Sequence, residues 1–183
     1  MPEQHIVNGC RAGEDGARRE LYELFAGRLY SICRRYVADG AVARDILQDA
    51  FVRIFTSFDK FDWRGEGSLK AWVERITVNM ALEHLRKSSR IAISSGEELL
   101  LKQYEDPAVE AENVRAVPNE VLMRFIAELP DGYRTVFNLF CIEDYSHREI
   151  AGMLGINEKS SSSQLSRAKA ILAAKITDYL KTK

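Results

Sequence analysis

The chain has 183 residues, 46% apolar and 29% charged, enough for one medium or two small domains with cores of their own. A net charge of −1 does not advertise a nucleic-acid binder, and three widely spaced cysteines, Cys10, Cys33 and Cys141, argue against a disulfide scaffold and for a reducing cytoplasm. No run nears the ~18 apolar residues of a membrane-spanning helix, and the opening Met-Pro-Glu-Gln-His-Ile lacks the basic-then-apolar pattern of a secretion signal, so membrane insertion is not expected.

The charge is uneven. Residues 146–183 carry seven Lys or Arg against three acids, a net of +4, whereas residues 91–130 carry eight acids against three bases, a net of −5. A basic end behind an acidic middle can hide a nucleic-acid surface inside a neutral total.

Prolines occur only at 2, 107, 118 and 130, so long helices can run through the first hundred residues. The first is expected over 15–37, with Leu21, Leu24, Phe25, Leu29 and Ile32 at helical spacing, and Asp39-Gly40 breaks it. The second is expected over 42–58, where Ala43, Ile46, Leu47, Ala50, Phe51 and Ile54 form one stripe. Its opposite face carries Asp45, Gln48, Asp49 and Arg53, either a plain solvated face or a docking surface.

A loop, Trp63-Arg64-Gly65-Glu66-Gly67, follows, and Ser68 can cap a third helix over 69–87. Trp72, Ile76 and Met80 line one side of that helix; Arg75, Asn79, Glu83, Arg86 and Arg90 line another, with His84 and Lys87 beside them. A basic, amide-bearing face suits DNA, and equally suits a helix end whose cations complement the dipole. Among the neighbouring aromatics, Phe55 and Trp72 read as core, and Trp63, beside Arg64 and two glycines, is the one placed to stack on an unpaired base.

Residues 91–117 read as an acidic linker with a transient helix near 97–104. Helices are then expected over 119–128 and 131–142. The strongest local pattern comes next. Ser146 and Glu149 form a capping-box pair, Ile150, Ala151 and Leu154 give a buried face, Gly155 supplies a tight turn, Ile156 tucks inward, and Asn157 caps a helix over 158–180. This is a helix-turn-helix pattern. The N-terminal part of the second helix would enter the major groove, presenting Lys159, Ser160, Ser162, Ser163, Gln164 and Arg167. Gln164 can read an adenine edge, the serines can bond phosphate or base, and the cations can meet phosphates. The plain alternative is a helical hairpin with a solvated polar face.

Taken together, these segments resemble a known family. The Ala43-Arg44-Asp45-Ile46-Leu47-Gln48-Asp49-Ala50-Phe51 core is similar to the polymerase-binding helix of bacterial sigma factors. The run Leu69-Lys70-Ala71-Trp72-Val73-Glu74-Arg75-Ile76-Thr77-Val78-Asn79, continuing to Leu85-Arg86-Lys87, resembles their −10-element helix. Leu129-Pro130-Asp131-Gly132-Tyr133-Arg134 with the helix-turn-helix resembles their −35-element domain. Order and spacing match the extracytoplasmic-function group of the sigma-70 family.

The resemblance implies an all-α fold of two helical domains, residues 1–92 and 118–183, joined by a flexible acidic linker over 93–117. It implies that Asp45, Gln48 and Asp49 face core RNA polymerase. The 61–68 loop with Trp63 would hold a flipped base, and Arg75, Asn79, His84, Arg86 and Lys87 would contact melted and duplex −10 DNA. Residues Lys159 to Arg167 would read the −35 element, and an anti-sigma factor would hold the free protein silent. No cofactor is implied. One departure stands out: the family's recognition helix begins with a Thr-Val-Lys-Ser-Arg-like run, whereas this chain has Ser160-Ser161-Ser162-Ser163-Gln164, lacking two cations and an apolar anchor. Fewer cations predict a shallower salt dependence of −35 binding.

A stand-alone helix-turn-helix regulator would explain the C-terminal half but neither the Asp45/Gln48/Asp49 face nor the Trp63–Trp72 region. An enzyme is disfavoured, with no phosphate-cradling glycine loop, no CxxC and no histidine pair at metal spacing. Cys141 and His147 have the wrong company for zinc, and Cys33 and Cys141, among apolar residues, are expected in the core.

Overall fold

The computed structural model describes residues 2–88 and 111–182. Among them there are helices and no strands, in the order α1 (Pro2–Ala12), α2 (Asp15–Tyr36), α3 (Gly40–Phe55), a 3-10 turn (Phe58–Lys60), α4 (Ser68–Lys87), α5 (Ala111–Arg115), α6 (Asn119–Ala127), α7 (Asp131–Cys141), α8 (His147–Leu154) and α9 (Glu158–Lys181). The all-α, two-domain expectation holds. The chain divides into two compact units, Met1–His84 and Leu85–Lys183. No helix among the described residues is long and apolar enough to cross a membrane.

In the first unit, α2 and α3 pack as an antiparallel-style hairpin through buried Leu21, Phe25, Leu29, Ile32, Ala43, Ile46, Ala50 and Ile54. Burying this apolar stripe stabilises each large side chain by roughly 1.5–3 kcal/mol, far more than helix propensity supplies. Asp39 both stops α2 and starts α3: its carboxylate accepts from Ala41 N at 2.7 Å and Val42 N at 3.2 Å. That cap begins α3 two residues earlier than hydrophobic spacing suggested. The same helix stops at Phe55, three residues early, and a separate 3-10 turn takes up Phe58.

The helix α1 is a correction to the sequence reading, which began its helices at residue 15. Only Ile6, Val7 and Cys10 give it an apolar face, too few to stand out in the sequence, yet all three are buried. Gly9 lets α1 approach α2 closely, since a Cβ there would lie 2.5 Å from the Ala17 Cβ. The helix ends in a Schellman motif, with Gly13 at φ +78°, Glu14 N bonding Gly9 O at 2.9 Å and Gly13 N bonding Cys10 O at 3.2 Å.

Along α4 the fully buried positions are Leu69, Val73, Thr77, Val78, Ala81, Leu82 and Leu85, while Trp72, Ile76 and Met80 are half-buried beside them. Trp72 is not core but part of an aromatic cluster, its ring 5.1 Å from Phe58 and 4.8 Å from Phe61. Phe55 is likewise half-buried, 5.8 Å from Phe51.

In the second unit, α9 is the spine against which α5, α6, α7 and α8 pack. Val117, Phe125, Leu129, Ala168, Leu172 and Ile176 form its core at one end. Pro118 and Pro130 sit at the N-caps of α6 and α7, where a missing N–H costs nothing. Arg134 is only 4% exposed. Its guanidinium donates to Ala127 O at 2.8 Å and Leu129 O at 2.9 Å and pairs with Asp131, so one side chain satisfies the frayed end of α6 and fixes the start of α7.

One further expectation is corrected. Cys141 is exposed at the last residue of α7, not buried, because the helix ends there and turns the side chain outward; Cys10 and Cys33 are the buried thiols. The one-turn α5 occupies part of the segment expected to be linker. The transient helix expected over 97–104, with the rest of 91–110, lies outside the described residues.

Candidate functional site

Three separate surfaces carry the predicted residues. On α3, Asp45, Gln48 and Asp49 are all exposed on the side opposite the buried stripe. Positions 45, 48, 49 and 52 follow the i, i+3, i+4, i+7 rule and so share one face. The fourth, Val52, is 63% exposed, an apolar position that sequence reasoning did not single out. An acid-amide stripe ending in an exposed valine can meet a basic helix with an apolar footing.

The second surface comprises the 61–67 loop and the outer face of α4. Arg75, Asn79, Arg86 and Lys87 are exposed, while His84 and Trp63 are half-buried. The loop starts from the Phe58/Phe61/Trp72 cluster and runs through Gly65 at φ +109° and Gly67 at φ +83°. These two left-handed positions need glycine. Ser68, the first residue of α4, closes the loop by donating to Gly65 O at 2.6 Å and accepting from Arg64 N at 3.4 Å. Three bonds from two residues of α1 complete it. Arg11 donates to Phe58 O at 3.4 Å and to Phe61 O, and the Glu3 carboxylate accepts from Gly67 N at 2.8 Å. Sequence reasoning missed them, because no local pattern links residues 47 to 64 apart.

The third surface is the α8–α9 pair. Ser146 caps α8 in a full capping box: Glu149 N donates to Ser146 Oγ, and the Glu149 carboxylate accepts from Ser146 N at 2.8 Å. Gly155 turns the chain at φ +69°. Asn157 Oδ1 accepts from Ser160 N at 2.7 Å and starts α9. Ile150, Ala151 and Leu154 are buried and Ile156 is half-buried.

Of the predicted readers on α9, Lys159 and Ser162 are exposed; Ser160, Ser163, Gln164 and Arg167 are half-buried. The amide of Gln164 lies along α7, where a Cβ on Gly132 would come within 3.1 Å of its Oε1. The serine run has a structural explanation. Ser161 is fully buried, and its hydroxyl meets His147 Nδ1 at 2.9 Å. The His147 ring in turn stacks on Phe140 at 4.5 Å. A polar pair thus stands where the family's recognition helix carries an apolar anchor, each partner satisfying the other inside the α7–α8–α9 junction.

Among the described residues no group of three or more His, Cys, Asp or Glu side chains is arranged to hold a metal ion. Burial pushes the Cys10 thiol up to about 11 and the Cys33 thiol up to about 12, so both are protonated and inert near neutral pH.

Residues 21–91 match sigma-70 region 2 and residues 119–172 match sigma-70 region 4. The chain is 24% identical over 155 residues to the ECF RNA polymerase sigma factor SigM of Bacillus subtilis, covering 85% of this chain and 92% of that one. It is 25% identical over 180 residues to SigW of the same organism, covering 94% and 95%. To the ECF RNA polymerase sigma-E factor of Escherichia coli it is 25% identical over 193 residues, covering 99% and 97%. The solved structure of CnrH in complex with the cytosolic domain of CnrY shares the fold at a TM-score of 0.50 and 20% identity, covering 100% of this chain and 99% of that one. With both regions present in this order, the chain belongs to the extracytoplasmic-function group of the sigma-70 family, RNA polymerase sigma factors that direct the initiation of transcription.

Proposed function

We propose a division of labour among the three surfaces, within domains spanning residues 1–92 and 118–183 with a linker over 93–117. Asp45, Gln48 and Asp49 dock core RNA polymerase. The 61–68 loop and Trp63 hold a base unpaired from the −10 element, and Arg75, Asn79, His84, Arg86 and Lys87 contact the surrounding −10 DNA. Lys159, Ser160, Ser162, Ser163, Gln164 and Arg167 on α9 face the −35 element in its major groove. The protein has no chemistry of its own in this reading; it places the polymerase.

One observation carries the proposal. A fully capped helix-turn-helix shares the chain with an exposed acid-amide stripe on α3, so a duplex-reading element and a protein-docking face are built into one molecule. Neither DNA surface is strongly basic, so the free protein binds promoter weakly, and core polymerase raises the effective concentration of each module at its own element. We extend the proposal to an anti-sigma protein that covers these faces in the uninduced state. The assembly of CnrH with the cytosolic domain of CnrY is a precedent in a protein of the same fold.

The test is co-purification with bacterial core RNA polymerase followed by sequencing of the transcript starts that the complex directs. A stoichiometric complex with two shared upstream elements supports the proposal. Promoter binding that needs no polymerase would replace it with a stand-alone regulator.

A further inference from the structure

We propose that α1 is a brace for the loop that reads the −10 element, with Glu3 and Arg11 as positioning residues. The proposal rests on the role given to the 61–68 loop above. Both residues precede the segment that matches sigma-70 region 2, which begins at residue 21.

The loop is poorly held by its own chain. Gly65 and Gly67 both adopt left-handed conformations, and glycine has the largest freedom to lose when such a segment is ordered. Its local ties are the bonds from Ser68 to Gly65 and Arg64, which close the turn into α4, and an exposed Arg64–Asp62 pair at 3.1 Å. The two ends of the loop are fixed from elsewhere. Arg11 holds the carbonyls of Phe58 and Phe61 at the entry, 47 and 50 residues away in sequence. Glu3 holds the N–H of Gly67 at the exit. The Gly67 carbonyl accepts from Ala71 N at 3.0 Å, so Gly67 is the first cap of α4 and the Glu3 carboxylate meets the positive end of that helix.

The brace is itself rigid. Ile6, Val7 and Cys10, on the same stripe as Glu3 and Arg11, are buried, and Gly9 seats the helix against Ala17. Glu3 and Arg11 are two turns apart on one helix, about 12 Å along its axis, so a single rigid element ties both ends of the loop. A loop ordered before DNA arrives spares the flipped base the entropy of ordering it, which favours capture of the unpaired strand. The exposed face of α3 takes no part in these bonds, so polymerase docking does not depend on the brace.

The test uses the full chain with core RNA polymerase and the promoter recovered from transcript-start sequencing, each −10 position substituted in turn. Two readouts are taken: amide hydrogen exchange across 61–68, and the ratio of open-complex formation on native against substituted −10 DNA. Glu3→Ala and Arg11→Ala are expected to speed exchange at Gly67 and its neighbours about fivefold to tenfold and to cut the −10 ratio by a similar factor, with core affinity unchanged. Glu3→Gln, which keeps an acceptor for the Gly67 N–H, is expected to retain most of both. Gly9→Ala, which disturbs the seat of α1 while leaving Glu3 and Arg11 in place, is expected to loosen the loop in the same way.

Unchanged exchange at Gly67 in Glu3→Ala overturns the brace. So does a loss of core affinity in step with the −10 ratio, which would make α1 ordinary packing. If the unaltered protein shows no −10 preference at all, the DNA role of the loop fails, and hydrogen exchange alone then decides whether α1 positions it.

Discussion

The loop that precedes α4 and the turn between α8 and α9 do similar structural work by opposite means. Each is a short, glycine-bearing connection that presents a helix start to DNA in the proposed function. The α8–α9 turn is held by neighbours: Ser146 with Glu149 and Asn157 with Ser160, each three residues apart, plus Gly155 in the left-handed region. The 61–67 loop is held by residues 47 to 64 positions away on α1. Local ties form with the helix they cap, whereas distant ties exist only once α1 has docked. The second unit should therefore keep its DNA-facing turn under conditions that loosen the loop of the first.

That comparison can be broken most forcefully at Arg134, the most demanding polar residue of the second unit. Arg134→Ala would leave the Ala127 and Leu129 carbonyls unsatisfied and Asp131 unpaired. It should destabilise that unit by about 3 kcal/mol, read as a fall in denaturant midpoint by tryptophan-independent probes on α7 and α9. A cost near zero would mean that local caps alone hold the unit together.

A second substitution separates surface from scaffold. Asp45→Lys with Asp49→Lys reverses charge on an exposed face with no buried role, so core-polymerase affinity should fall by about tenfold or more while helix content stays constant. Loss of circular dichroism alongside affinity would make these residues structural.

Gly155→Ala imposes a side chain at φ +69° and should cost about 1 kcal/mol. Because the strain is local, it should weaken −35 binding without touching hydrogen exchange over 61–68. A matching change in that loop would break the distinction between the two units.

The smallest effect needs no substitution at all. Cys141 is exposed and should alkylate first with iodoacetamide. The buried thiols of Cys10 on α1 and Cys33 on α2 should follow in that order, because Cys10 needs only undocking of α1 whereas Cys33 needs the α2–α3 core to open. Simultaneous labelling of Cys10 and Cys33 would mean that α1 and the core open as one unit.

Much of this protein is written in short-range patterns. The periodic stripe of α3, the Ser146 and Asn157 caps and the Gly155 turn are each decided within a few residues, and each stands in the structure as the sequence predicts. The exposed acid-amide face of α3 follows from the same periodicity, since a helix that buries positions 43, 46, 47, 50 and 54 must turn 45, 48 and 49 outward. The role proposed for that face rests on family resemblance.

The remainder was decided by tertiary structure. Three apolar residues do not announce α1; it is a helix because Gly9 and Ala17 allow it to close on α2. Cys141 reads as core by its apolar neighbours but sits where α7 ends. Ser161 looks like one more polar residue in a serine run, yet it is buried because His147, fourteen positions earlier, is brought beside it. For α1 and Ser161 the deciding partner lies on another helix. A chain's local propensities specify its helices, but which face a lone residue shows, and what it meets there, depends on helices packed from far along the chain.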